Sequence, residues 1–140
     1  MDELRLRGQG RRESGAFLLG RETGEAKNVQ AWIAYDVLDP NALRFSYVRL
    51  DSDAFGRLWA HCEQRGQTVV GDVHTHPRGP GQSLSDRANP MISVAGHTAL
   101  IVPRFAQGRV RPVDVSLNVY LGAKTWLNLY GKSVADAINI

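Results

Sequence analysis

Two histidines stand two residues apart at the end of an apolar run, and proline and a glycine-rich return follow at once. This feature limits what the chain can fold into. The run is Thr68-Val69-Val70-Gly71-Asp72-Val73-His74-Thr75-His76-Pro77, continued by Arg78-Gly79-Pro80-Gly81-Gln82-Ser83-Leu84-Ser85-Asp86. Residues 68–75 read as a strand, in which side chains two apart point to the same face. His74 and His76 can therefore converge on one cation without bending the chain. Pro77 ends the strand, because it fixes φ and has no N–H to give a ladder. Gly79, Pro80 and Gly81 let the backbone turn back, which brings Asp86 within reach of the same ion.

Two imidazoles and one carboxylate make three protein ligands. A tetrahedral zinc held this way keeps one position open for water, the arrangement of a catalytic site rather than a closed structural one. Cys62 is the only cysteine, so a thiolate-rich structural zinc site is excluded. A catalytic zinc also needs a base beside its water. Glu13 is the candidate, at the mouth of the short apolar strand Gly15-Ala16-Phe17-Leu18-Leu19, which ends at Gly20.

The ordered set Glu-x-x-(small)-x-Leu-x-Gly, His-x-His-Pro and Ser-x-x-Asp resembles the JAMM (MPN-plus) zinc metalloprotease family. The likeness runs over roughly residues 9–130. Its members remove ubiquitin or ubiquitin-like proteins from their targets. The resemblance implies that His74, His76 and Asp86 bind one Zn2+ per chain, that Glu13 is the general base and that Ser83 helps to stabilise the oxyanion. The gap between His76 and Asp86 is shorter than in the eukaryotic deubiquitinases and looks like the bacterial JAB branch, which occurs beside ubiquitin-like conjugation genes. Ser83 keeps the Ser-x-x-Asp register, with Ser85 as a near neighbour. Only Met1 to Arg12 precede Glu13, which leaves little room for the family's long first helix. The implied partners are a ubiquitin-like protein or its conjugate, together with conjugation-system enzymes. Two other readings remain open: a non-catalytic scaffold of MPN fold that binds a ubiquitin-like protein, and a RadC-like DNA-linked protein, since RadC-like chains carry a similar His-x-His-Pro.

The pattern along the chain predicts a single domain over residues 1–140. Its class is α/β, JAB/MPN-like, with a central mixed or antiparallel sheet flanked by helices. Residues 15–19 and 29–37 read as strands, and alternation at 43–48 extends the second into a hairpin or meander. The period then changes. Phe55, Leu58, Trp59 and Cys62 form a helical stripe, so 52–65 is an amphipathic helix with Asp51 or Ser52 as N-cap and Gly66 as its stop. A short helix follows from Ser83 to about Met91, limited by Asn89-Pro90. Strands are predicted at 98–102, 113–121 and 125–130, and a short helix or tail at 131–140. The segments 35–51 and 86–98 are too short for large substrate-gripping insertions.

Composition narrows the function classes. Hydrophobic residues make up 43% and charged residues 22%, which is ordinary for a globular domain. No apolar run approaches a membrane span. Asp2, Glu3 and the early arginines leave no signal-peptide core, and a lone cysteine fits a reducing compartment, so the expectation is cytoplasmic. The net charge of +3 and pI near 9.4 could attract nucleic acid. The arginines form neither a block nor a basic helix interleaved with aromatics, so a solvated surface is the preferred reading. Cys62 reads as a packed thiol. His61 and His97 read as structural or surface residues. Asp72 lies on the same side of its strand as His74 and His76 and could support the ligands, but it is left out of the candidate set.

Overall fold

The computed structural model describes residues 1–44 and 47–139. A short helix, α1 (Asp2–Arg7), opens the chain. Strand β1 (Gly15–Thr23) and strand β2 (Ala26–Ala34) then form an antiparallel hairpin. Gly24 sits at its tip with φ 61°, a left-handed value that glycine adopts at no steric cost. One helical turn, α2 (Tyr35–Leu38), follows, and then the long helix α3 (Ser52–Arg65). Strand β3 (Thr68–Thr75), helix α4 (Leu84–Ala88) and strand β4 (Thr98–Val102) come next. The chain closes with β5 (Ser116–Gly122), β6 (Thr125–Tyr130) and helix α5 (Lys132–Ala137). The sheet order is β2-β1-β3-β4-β5-β6. Among the described residues only β3 and β4 run parallel; the other neighbouring pairs are antiparallel. The class is therefore the expected α/β, with a six-stranded mixed sheet flanked by helices.

The caps explain α3. Asp51 Oδ1 accepts the Ala54 N–H at 2.7 Å, which satisfies one of the helix's orphan donors. Gly66 ends the helix in the left-handed region, with φ 59°, and the Gln67 N–H reaches back to the Cys62 carbonyl. The buried stripe is Ala54, Leu58 and Cys62, spaced four apart as a helix face requires. It is rotated from the predicted stripe, because Trp59 is 49% exposed. The face packs on Phe17, Leu19 and Tyr35, all at 0% exposure. Burying each large apolar side chain of this kind contributes about 1.5–3 kcal/mol. A second cluster on the other face of the sheet joins Leu4, Ala16, Val102 and Val134.

Three expectations need correction. The second strand stops at Ala34, and Tyr35–Leu38 is helical. Its hairpin partner is β1, not 43–48; the latter segment contributes only an isolated bridge between Leu43 and Val48, with Phe45 and Ser46 outside the described residues. The predicted 113–121 strand begins at Ser116, because Pro112–Asp114 forms a 3-10 turn in which Asp114 accepts from the Arg111 N–H and guanidinium.

Candidate metal centre

The site lies where β3 leaves the sheet. His74 is the last-but-one residue of β3 and His76 follows its end. The His76 N–H donates to the Val102 carbonyl, and the Phe105 N–H donates to the His76 carbonyl at 2.8 Å. His76 is thus held by the chain after β4 although its own strand has ended. Arg104, Phe105 and Ala106 all have φ between 51° and 57°. Left-handed backbone costs roughly 1–2 kcal/mol per non-glycine residue, so the turn that presents the Phe105 N–H is kept against a local penalty.

Ser14 places Glu13. Its N–H donates to Thr75 Oγ1 at 3.0 Å, and the Thr75 N–H donates to the Ser14 carbonyl at 2.8 Å. Thr75 is the residue between the two histidines, so this reciprocal pair sets Glu13 beside them. The Ser14 hydroxyl donates to the Leu4 carbonyl at 2.6 Å, which ties α1 to the same point.

Asp86 arrives on α4. Ser83 is the N-cap: its Oγ accepts the Asp86 N–H at 3.1 Å, and Asp86 Oδ2 accepts the Ser83 N–H at 2.6 Å. The reciprocal box satisfies two orphan donors and fixes the carboxylate's direction. Side chains of β5 and β6 hold the loop that delivers it. Ser116 Oγ donates to the Pro80 carbonyl at 2.6 Å, and Asn128 donates to Gln82 Oε1 at 2.7 Å.

The three ligand candidates converge, each offering one atom, and these atoms lie within 4.8 Å of one another. His74 Nε2 and His76 Nε2 are 3.2 Å apart; Asp86 Oδ2 is 3.2 Å from His76 Nε2, and Asp86 Oδ1 is 3.7 Å from His74 Nε2. A tetrahedral ion with bonds of ~2.0–2.1 Å needs ligand–ligand edges of roughly 3.3–3.4 Å. The donor set and its spacing fit a zinc-like cation.

Glu13 lines the same cavity, of about 320 Å³, with His74, Ser83, Ser85 and Asp86. Tyr47, Leu50, Phe55, Met91 and Trp126 supply apolar and aromatic lining. Burial pushes the Glu13 carboxyl above its ordinary value, and the nearby His76 and His74 only partly offset this. Burial by itself would also raise Asp86, but hydrogen bonds from His76 and Ser83 and the charge of His74 hold it down at about 2. Burial would lower His74; the carboxylates Asp72, Asp86 and Glu13 outweigh it and raise that imidazole. Three carboxylates around two imidazoles make a site suited to a cation.

All five predicted site residues are therefore brought to one place: Glu13, His74, Asp86 and Ser83 around the cavity, and His76 in contact with Asp86. Behind His74 lies a buried group that the motif did not announce. Asp72, 1% exposed, accepts from His97 Nε2 at 2.6 Å and from the Tyr35 hydroxyl at 3.0 Å. Its alternation with His74 was a signal; the roles of Tyr35 and His97 had none. Ser14 and Thr75 were also missed. Cys62 is buried on α3, as expected of a packed thiol. Among the described residues no helix is long and apolar enough to cross a membrane.

A family model described as prokaryotic homologs of the JAB domain matches residues 5–115. The chain belongs to that family. It is also similar to two solution structures. A protein from Desulfitobacterium hafniense is 20% identical, with a TM-score of 0.61 over 92% of this chain and 84% of that one. A protein from Salinibacter ruber is 23% identical, with a TM-score of 0.56 over 91% of this chain and 83% of that one. These two likenesses concern the fold.

Proposed function

We propose that the protein is a zinc-dependent isopeptidase or peptidase that cleaves the extended C-terminal tail of a ubiquitin-like protein from a conjugate or precursor. The observation that carries the reading is the position of Glu13. It is a buried carboxylate with a raised pKa, set by the Ser14–Thr75 pair beside a convergent His-His-Asp group.

When bound, zinc supplies Lewis acidity, which acidifies water and polarises a carbonyl. His74, His76 and Asp86 would hold it. Glu13 takes the proton of the attacking water and returns it to the leaving amine. Burial raises the Glu13 carboxyl above its ordinary value, which makes the carboxylate a better acceptor for the water proton, and the leaving amine is basic enough to take that proton back. Ser83 Oγ already accepts the Asp86 N–H. Its own proton is therefore free to point at a developing oxyanion. Gly79 and Gly81 have open space where a Cβ would stand, so the backbone of an extended tail has room to approach the loop. The partner is a ubiquitin-like protein or its conjugate, and the setting is the cytoplasm.

The test is the zinc content of the purified protein beside its Glu13→Gln variant, with cleavage of a ubiquitin-like fusion assayed in the same preparations. Near-stoichiometric zinc in both, with cleavage by the parent alone, is the expected result. Parent-rate cleavage by Glu13→Gln would remove Glu13 as the base. Absence of zinc from both would favour a scaffold that only binds its partner.

A further inference from the structure

We infer that Asp72 is a positioning residue for the first histidine ligand: it selects the His74 tautomer that leaves Nε2 free for a metal ion, and Tyr35 and His97 hold it in place to do so. The inference rests on the proposed metal site and assigns a task to three residues outside its ligand set.

A carboxylate as buried as Asp72 persists only when it is paired and hydrogen-bonded. Its Oδ1 takes the His97 bond at 2.6 Å and its Oδ2 the Tyr35 bond at 3.0 Å. That leaves Oδ2 facing His74 Nδ1 at 3.5 Å. This distance is an ion-pair contact rather than a formed hydrogen bond, and Nδ1 is buried with no other partner. A neutral imidazole carries one N–H. With the proton on Nε2, the Nδ1 lone pair would face a carboxylate oxygen, and the N–H would point into the group formed by His76 and Asp86. With the proton on Nδ1, an N–H faces the anion, and the Nε2 lone pair joins the other two ligands. Charge decides for the second arrangement. A hydrogen bond from the outer nitrogen of a ligating histidine commonly fixes its tautomer in this way.

The surroundings keep Asp72 from moving. It pairs with Phe17 on β1 and Ala99 on β4, at the centre of the sheet. Tyr35 is fully buried, with its ring edge-on to Phe17 at 4.9 Å. Gly15 makes room for that ring, since a Cβ there would lie 2.3 Å from Tyr35 Cε2. His97 sits on a loop fastened to Tyr120 by two bonds: the Gly96 N–H donates to the Tyr120 carbonyl, and the Tyr120 N–H donates to the carbonyl of His97 itself. Lys27 Nζ adds a 2.6 Å bond to the Gly96 carbonyl. Two anchors from distant parts of the chain thus clamp one carboxylate behind one ligand.

The experiment uses the full chain. The 15N shifts of the His74 ring, recorded on zinc-depleted protein at a pH where the ring is neutral, report its tautomer. Competition with a chromophoric chelator reports zinc affinity, and thermal unfolding reports the fold. The parent should show the Nδ1–H form. Asp72→Asn should shift that tautomer and weaken zinc binding about 10–100-fold. Tyr35→Phe should move both readouts in the same direction by less. His97→Gln, which keeps a donor, should stay near the parent. A parent His74 in the Nε2–H form overturns the inference, and this result needs no variant to fold. A folded Asp72→Asn that keeps both the tautomer and the zinc affinity also overturns it. If the parent takes up no zinc, the metal-site reading fails, and the tautomer comparison alone then decides the role of Asp72.

Discussion

Replacing Ser83 with alanine removes one oxygen that has two partners to serve. In the folded chain that oxygen caps α4 by accepting the Asp86 N–H at 3.1 Å. The cap holds an exposed helix of five residues, and losing a serine cap costs about 0.5–2 kcal/mol, with exposed sites at the low end. A loss of about 1 kcal/mol corresponds to a fall in Tm of roughly 2–5 °C for a domain of this size. Asp86 keeps its own bond from the Ser83 N–H, at 2.6 Å, because that bond uses backbone. The third candidate ligand should therefore stay in place, and zinc content should change little. Loss of an oxyanion donor is a larger effect, about 10²–10³-fold in kcat. The assay is single-turnover cleavage of a ubiquitin-like fusion by Ser83→Ala, with zinc content and Tm measured on the same sample. A fall in kcat of about a hundredfold or more, with zinc retained and Tm down by a few degrees, is the expected pattern. A kcat within about fivefold of the parent would mean that Ser83 is a cap only, since a ~1 kcal/mol effect is worth no more than that.

Other outcomes follow from the packing and the surface. Phe17 is fully buried against Tyr35 and Phe55, so Phe17→Ala should cost about 3–5 kcal/mol in denaturant unfolding; a cost below about 1 kcal/mol would mean that this cluster is not the core. Gly15→Ala should cost about 1–3 kcal/mol, because its Cβ would meet the Tyr35 ring at 2.3 Å and the Val73 carbonyl at 2.5 Å; parent-like stability would contradict that packing. Hydrogen bonds from the Arg111 side chain and backbone hold the Asp114 carboxyl down from the ordinary 3.8 to about 2. The folded value is the lower one, so its contribution to stability is present above pH 3.8 and is lost as pH falls towards about 2. NMR titration of Asp114 should show the depressed midpoint, and Arg111→Ala should return it towards the ordinary value.

The sequence made some of this legible and hid the rest, for physical reasons. Helix 52–65 and strands 68–75, 98–102 and 125–130 match the observed bounds, because each carries its own stop or cap nearby: Gly66, Pro77, Pro103 and Gly131. The ligand cluster was legible because the alternation of a strand puts His74 and His76 on one face, and a loop of fixed length returns Asp86. The β1–β2 hairpin was not. Its outer half is Gly20-Arg21-Glu22-Thr23-Gly24-Glu25-Ala26-Lys27-Asn28, which has little intrinsic strand preference. Pairing across the hairpin decides its structure, as tertiary context often does for strands. Charged residues there also suit an edge strand that must not recruit a partner. Tyr35 and His97 reach Asp72 from 37 and 25 residues away, separations at which no local pattern can announce a contact.

The parallel pairing of β3 with β4 has a consequence for how the protein can change. Parallel strands cannot be joined by a tight turn and need a crossing of a dozen or more residues. Here the crossing is the stretch from His76 to His97, and it carries Asp86. The length that the topology demands thus already carries the third candidate ligand, so the candidate metal centre adds no segment that the fold could shed. Up to Ala88 the crossing is fastened to β5 and β6 through Pro80, Gln82 and Arg87. Room for insertions lies beyond that point, on the exposed residues 93–96. New contacts to a partner can be added there while His74, His76, Asp86 and the sheet keep their places.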